Sequence, residues 1–223
     1  MASFSASALK FVGILATLGP GHALVNNRIR RTTLPGGAGV VGGRAYSVPV
    51  TEPSEPSKDL ADPDELLAAY LDYYRDVVLR KLDGMSEQDL RTSRLPSGWT
   101  PLELLKHLTN VERRWLQWGF LAEQVPDPWS DNGPDGRPDG RWRVEPEESV
   151  DDLRTAFREQ AARSRKIAAG ANLADVAALG GRFGEGGEAP TLGWILFHVL
   201  QEYARHAGHL DVARELADGA TGE

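Results

Sequence analysis

Cysteine is absent from the 223-residue sequence, and this absence removes several kinds of chemistry at once. Without cysteine the chain has no disulfide, no thiolate nucleophile of its own and no cysteine-ligated zinc or iron–sulfur site. A bound metal would have to be held by His, Asp or Glu side chains. Chemistry that needs a thiol would have to use one supplied by another molecule.

Long hydrophobic runs are lacking as well. Residues 11–18 are apolar, but Gly13 interrupts the run and Gly19 ends it, so the segment is too short to span a bilayer. It resembles a weak secretory signal, yet Lys10 is the only basic residue before it. We therefore expect no membrane partner and a cytoplasmic location.

Basic residues are outnumbered by acidic ones outside the N-terminal region, more strongly than the net charge of −7 for the whole chain suggests. Residues 1–50 hold five of the 25 basic residues and none of the 32 acidic ones, which leaves 20 basic and 32 acidic residues, a charge of −12, in the remainder. An acidic surface repels the phosphate backbone of nucleic acids. Nucleic acid is therefore excluded as an expected partner.

Residues 1–60 differ in pattern from the rest of the chain. Their glycine clusters and prolines occur without hydrophobic periodicity, which is typical of a disordered segment. A cryptic targeting segment is a second interpretation. A third is a start site assigned too early, since Val48 or Val50 could be encoded by an alternative start codon. We favour a disordered or wrongly assigned extension over 1–60, followed by a folded domain over 62–219.

Capping signals predict four long helices in that domain. Asp62 and Pro63 begin the first helix, which ends before Gly84, and Ser149 begins the third, which ends near Gly170. The second and fourth helices carry most of the polar residues of interest, and their limits follow from the same signals. The second begins at Thr100, with a capping box to Glu103, and runs to about Val125; the fourth runs from near Thr191 to about Asp218.

Two long connections join the last three predicted helices. Residues 126–146 are rich in Asp-Gly turn sequences, and residues 170–190 contain six glycines, five of them within 180–187. No strand precedes these glycines and no Gly-Lys-Ser/Thr follows them, so a flexible loop is favoured over a phosphate-binding loop. With no convincing strand elsewhere, the sequence predicts an all-α protein, a four-helix bundle with long connections.

One face of the fourth helix carries an unusual polar cluster. Its four ionisable members are His198, Glu202, His206 and His209. With His198 at zero, the other three lie at roughly 40°, 80° and 20° around the helix axis. Ile195 and Leu216 share this face, so we expect it to point inward. Ionisable groups on a buried face are costly unless they are compensated, and a metal would compensate them.

Axial rise limits which of these residues can share one ion. His198 and His206 are separated by roughly 12 Å along the helix, too far for a common ion. Glu202 can share an ion with His198 or with His206, and the pair His206–His209 is a third option. A catalytic-type site needs a further ligand from another helix, and His107 of the second helix is the only other histidine in the folded part. A hydrogen-bonded cluster without metal stays open as the alternative.

Tryptophan gives a weaker signal. Trp115, Trp118 and Trp194 lie on the predicted second and fourth helices, and Trp129 and Trp142 lie in the loop between the second and third. They could line a pocket, although aromatic residues at helical spacing belong more often to a core.

Two stretches of the chain resemble a known family. LLKHLTNVERRW on the second helix and WILFHVLQEYARHAGHLDVARELADG on the fourth are similar to the DinB-like/YfiT superfamily. More narrowly, they resemble its actinobacterial branch of mini-circle proteins, also called domain of unknown function 664. The resemblance covers about residues 62–219. It implies a DinB-like four-helix bundle that binds a divalent metal between helices and often forms a homodimer.

The resemblance also implies a set of ligands. The expected positions, one histidine of the second helix and an i,i+4 pair on the last, fall on His107, Glu202 and His206. Many relatives have histidine at position 202, and a carboxylate there is similar to the mycothiol-dependent maleylpyruvate isomerase branch. His198 and His209 are then expected beside the ligands. Zinc is the expected ion, with nickel or another divalent ion as the alternative.

Three functions follow from these residues. The leading hypothesis is a metal-dependent transferase or isomerase that acts on a small molecule with a low-molecular-weight thiol, mycothiol by resemblance, while His198 or His209 moves the proton. The second is metal-dependent hydrolysis with Glu112 or His209 as the base. The third is a protein without catalysis, whose metal is structural and closed by a fourth ligand from His198 or His209, or whose polar face is a dimer interface.

Overall fold

The computed structural model describes residues 53–125, 143–184 and 186–221. Most of the expected N-terminal extension, residues 1–52, and most of the loop at 126–146 lie outside the described residues. Within them the regular structure is helical, apart from one isolated β-bridge between Val176 and Thr191. The prediction of an all-α bundle is confirmed.

Five α-helices and one π-helix follow each other along the described chain. They are α1 (Pro63–Leu82), α2 (Glu87–Leu90), α3 (Pro101–Glu112), the π-helix (Arg113–Phe120), α4 (Val150–Ala169) and α5 (Leu192–Asp218). The four predicted helices correspond to α1, to α3 with the π-helix, to α4 and to α5, whereas the short α2 was not predicted. None of these described helices is both long and apolar enough to cross a membrane.

Local hydrogen bonds account for where the helices begin and end. The amide of Thr100 donates to Glu103 Oε2 at 2.7 Å, and the amide of Glu103 donates to Thr100 Oγ1 at 3.2 Å, which completes the predicted capping box. Thr191 Oγ1 accepts from the amide of Trp194 at the start of α5. Gly219 ends α5 with φ of 76°, a left-handed conformation that glycine adopts without a steric penalty.

The core lies where α3 packs against α4 on one side and α5 on the other, while α1 packs along α5. Burial of these apolar side chains is the main force that holds the bundle together. Because α3 stands between two helices, one of its faces points at α5. The most completely buried members of the core include Leu104, Leu105, Leu108, Phe157, Ile195, Val199 and Leu210.

The second predicted helix was expected to run on to about Val125, and this is wrong in form and in length. The chain leaves the α-helical pattern after α3, and the π-helix ends at Phe120. Two carbonyl groups of this segment are taken by a distant loop, since Trp118 O accepts from the amide of Arg182 at 3.0 Å and Phe120 O from the amide of Ala178 at 2.8 Å. These carbonyls are then not available for a continuing α-helix.

The glycine-rich loop that the sequence presented as flexible is held against the π-helix. A Cβ atom on Gly181 would lie 2.1 Å from Trp118 O and 2.7 Å from Ala122 Cα, so only glycine fits this approach. The amide of Ala177 also donates to Pro190 O at 2.9 Å, which closes the loop on itself. The close approach of Gly181 to Trp118 therefore holds the loop next to the end of the π-helix.

The last turn of α5 departs from the expected inward face. Ile195 is fully buried as expected, but Leu216 is 52% exposed. Arg214 Nη1 donates to Lys81 O at 2.8 Å and to Asp83 O at 2.5 Å, which places the end of α1 beside Arg214. The final turn of α5 therefore extends beyond its neighbour, and Leu216 has no helix to pack on.

Candidate metal centre

His107 of α3 meets Glu202 and His206 of α5 in the interior of the bundle. The Nε2 atoms of His107 and His206 lie 3.6 Å and 3.3 Å from Glu202 Oε2. The two imidazole rings are 4.9 Å apart between centroids, and one ligand atom of each residue lies within 4.8 Å of the other two. The i,i+4 spacing on α5 and the inward face of α3 thus bring together the three residues named by the resemblance.

The spacing of these atoms fits a divalent ion. Ligand atoms bound tetrahedrally to zinc at its usual bond lengths are about 3.4 Å from each other. The two separations to Glu202 Oε2 are close to this value. Two imidazole nitrogens and one carboxylate oxygen also form the kind of three-ligand set that leaves a further coordination position open. In the described part of the chain, this is the one such cluster of His, Asp and Glu.

The charge state of Glu202 suits the same role. Burial opposes its ionisation, but hydrogen bonding with His107 and His206 outweighs burial and holds the pKa of Glu202 well below its ordinary value. The carboxylate is therefore ionised at neutral pH. A deprotonated carboxylate and neutral imidazoles are the forms that bind a metal.

His209 lies behind His206, at the ring nitrogen that does not face Glu202. His209 Nδ1 is 3.2 Å from His206 Nδ1, which leaves His206 Nε2 directed at Glu202. Such a contact at the second nitrogen orients a ligating imidazole. Burial lowers the pKa of His209, and the nearby His206 and Arg205 lower it further.

His198 lies on the other side of Glu202, close to two tryptophans. Its Nε2 atom is 3.8 Å from Glu202 Oε1, the carboxylate oxygen that does not face the other two histidines. The ring stacks on Trp194 with an interplanar angle of 7° and lies 4.3 Å from Trp115 between centroids. Burial lowers the pKa of His198, Glu202 opposes this, and neighbouring arginines lower the pKa further. His198 and His209, for which the sequence allowed the same roles, thus have different surroundings: His209 contacts His206, and His198 contacts Trp194 and Glu202.

The two tryptophans that contact His198 also border a pocket of about 520 Å³. Trp115 and Trp194 form part of its wall together with Phe183 of the glycine-rich loop, and we call this space the tryptophan pocket. Arg182 lies over the Trp115 ring, with its guanidinium carbon 4.1 Å from the ring centroid. Sequence reasoning missed both loop residues, because only the docked loop brings them to the π-helix. Of the other pocket candidates, Trp118 is not part of this lining, and Trp129 and Trp142 lie outside the described residues.

Glu112 occupies a different position from the one a catalytic base requires. It is 1% exposed, and its Oε1 atom accepts from Arg75 Nε at 2.8 Å and from Tyr203 Oη at 2.6 Å. Its Oε2 atom is buried and accepts no hydrogen bond. Burial and the Glu112 charge raise the pKa of Tyr203 well above its ordinary value. We call Arg75, Glu112 and Tyr203 the Glu112 network; it joins α1, α3 and α5 within the core.

The fold and this site define a helical-bundle protein with a candidate His/Glu metal centre. The family described as Mycothiol-S-transferase matches residues 66–219, more than two thirds of the chain. The chain belongs to the mycothiol-S-transferase family, which agrees with the resemblance drawn from its two helical motifs. A comparison with curated proteins finds no match.

Proposed function

We propose that the protein is a metal-dependent enzyme that joins the sulfur of mycothiol to an electrophilic small molecule. The cluster of His107, Glu202 and His206 in a chain of the mycothiol-S-transferase family is the observation that carries this proposal. Because the family description names a transferase, we prefer transfer to the isomerisation also considered. A reduced thiol co-substrate fits the cytoplasmic location expected from the sequence, since thiols are kept reduced there.

The residues around the cluster have distinct roles in this proposal. A divalent ion held by the three ligands, with zinc expected and nickel or another ion as the alternative, supplies a Lewis acid that lowers the pKa of a thiol. His198 Nε2, close to Glu202 Oε1, takes the proton of the thiol. The sulfur then bonds to the electrophilic carbon, and the leaving group departs with the electron pair of its own bond. His209 keeps His206 oriented.

Two observations weigh against the alternative functions. The two bases considered for hydrolysis are both engaged elsewhere, since Glu112 lies in the core between Arg75 and Tyr203, and His209 is turned to His206. A closed structural site would need a fourth ligand, and the cluster of described residues contains three. Transfer of a thiol needs no fourth protein ligand, and His198 lies beside Glu202 to take the proton.

Thiol and metal dependence test this proposal. We expect the metal-loaded protein to convert an alkyl halide and mycothiol to a thioether, measured by mass spectrometry. Removal of the ion with a chelator and dialysis should lower the rate to that of the uncatalysed reaction, because the three ligands alone do not activate a thiol. Added zinc should restore the rate. Ester cleavage in thiol-free buffer, with no thioether formed, would favour hydrolysis instead.

We also propose that the protein forms the homodimer expected from the resemblance. Phe197, Val212 and Leu216 are apolar side chains of α5 that are 62%, 46% and 52% exposed, and a partner subunit would bury them. We expect a dimer mass in sedimentation analysis and a monomer for the double variant Phe197→Glu, Val212→Glu. The double variant Thr155→Glu, Ala162→Glu, on the exposed side of α4, adds the same charge away from these residues and should stay dimeric. A monomeric native protein would contradict the proposal.

A further inference from the structure

The tryptophan pocket has the composition of a site for an uncharged ring. Trp115 and Trp194 lie 5.6 Å apart between centroids, and Phe183 lies 6.3 Å from Trp115. Ala189 and Pro190 complete the apolar part of the lining. Aromatic rings of a ligand gain from offset or edge-on contacts with such a wall, beyond the area that they bury.

Trp194 is a large aromatic residue of the pocket lining that remains exposed to solvent. It is 53% exposed, although one face of its indole stacks on His198. An indole that served only in packing would be buried, so an exposed indole next to a concave apolar space is better explained by the binding of a ligand. A volume of about 520 Å³ accepts a molecule of one or two rings.

The charges around the pocket argue against an ionic ligand. Glu188 is the one ionisable residue among the lining residues of the described chain, and it is exposed. Its carboxylate would repel an anion. A cation would gain only a weak attraction, since an exposed charge pair is screened by solvent. Arg182, Arg114 and Arg205 are close enough to lower the pKa of His198, and Arg182 lies over the Trp115 ring, but none of these guanidinium groups is part of the lining.

His198 connects the pocket to the candidate metal centre. Its ring contacts Trp115 and Trp194, and its Nε2 atom is 3.8 Å from Glu202 Oε1. A ring held against the tryptophans therefore has its substituents next to the group that takes the thiol proton.

We propose that the second substrate is an uncharged aromatic electrophile, a compound of one or two rings whose side-chain carbon carries a displaceable group, and that the tryptophan pocket selects it. This rests on the function proposed above. The mycothiol sulfur forms a bond to that carbon, the bond to the leaving group breaks with its electron pair, and the thiol proton goes to His198. The rings position the carbon and take no part in the bond changes.

Binding of unreactive probes tests the pocket without catalysis. The probes are 2-naphthylmethanol and its fully saturated counterpart, titrated calorimetrically into the full-length protein. We expect the aromatic probe to bind at least tenfold more tightly than the saturated one. Trp194→Leu should lower its affinity at least fivefold, and Trp194→Phe should recover most of it. Tyr70→Leu, a partly buried aromatic on α1 outside the pocket lining, is the matched control and should bind as the native protein does.

A rate comparison separates this inference from the proposed function. Rates with benzyl and n-hexyl halides and mycothiol, each divided by its uncatalysed rate, should favour the benzyl compound in the native protein and lose that preference in Trp194→Leu. Equal binding of the two probes, or an unchanged Trp194→Leu, overturns the pocket assignment even where mycothiol is conjugated. Selective binding without any thioether supports the aromatic pocket and overturns the proposed function instead.

Discussion

His107→Ala and His206→Ala are each expected to yield a protein that is purified without stoichiometric metal. Each change removes one of three ligands from an interior cluster, and two remaining side chains hold a divalent ion poorly. The loss of affinity should exceed the roughly 10- to 100-fold that changes behind a ligand produce. Elemental analysis of natively expressed protein measures this directly, and circular dichroism confirms that the helices are retained.

Two further variants form a graded control for this experiment. His209→Ala removes the contact with His206 Nδ1 and should weaken metal binding by about 10- to 100-fold, so that the ion is lost to a weak chelator. His198→Ala should keep the full metal content, because its Nε2 atom lies 3.8 Å from Glu202 Oε1 and outside the ligand cluster. Full metal content in His107→Ala would show that the assignment of the ligands is wrong.

The parts of the fold that the sequence predicted are those set by local interactions. The capping box at Thr100 and Glu103 and the left-handed Gly219 depend on residues within one turn, and both are found where expected. The π-helix depends on a contact between Trp118 and Arg182, which are 64 positions apart. No periodicity within one helix reports such a contact, so the expected α-helix to about Val125 was wrong.

In the candidate site too, the sequence predicted what depends on local spacing and missed what depends on distant contacts. Helical spacing placed Glu202 and His206 on one face, but spacing alone left three pairs open, and the resemblance to a known family selected one. The role of Glu112 was beyond reach, since its partners Arg75 and Tyr203 lie 37 and 91 positions away in the sequence. A carboxylate on a helix is normally solvated, and only the assembled bundle shows why this one is buried.

Glu112→Ala is expected to destabilise the protein by about 3–5 kcal/mol. The reason is the charge that it leaves behind: Arg75 is 4% exposed and would be buried without its main counter-charge. Tyr203→Phe removes one hydrogen bond and should cost about 1 kcal/mol. Urea unfolding of chelator-treated protein measures these differences in the free energy of unfolding without a contribution from bound metal.

Two comparisons show whether burial causes the loss of stability expected for Glu112→Ala. One removes an exposed ion pair, and the other replaces the whole Glu112 network with apolar residues. Glu87 is 68% exposed in its pair with Arg91, so Glu87→Ala should change stability by no more than about 0.5 kcal/mol. The triple variant Arg75→Met, Glu112→Leu, Tyr203→Phe leaves no unpaired group in the core and should recover most of the loss. If Glu112→Ala cost as little as Glu87→Ala, the Glu112 network would not be what ties α1 and α3 to the helix that carries Glu202 and His206.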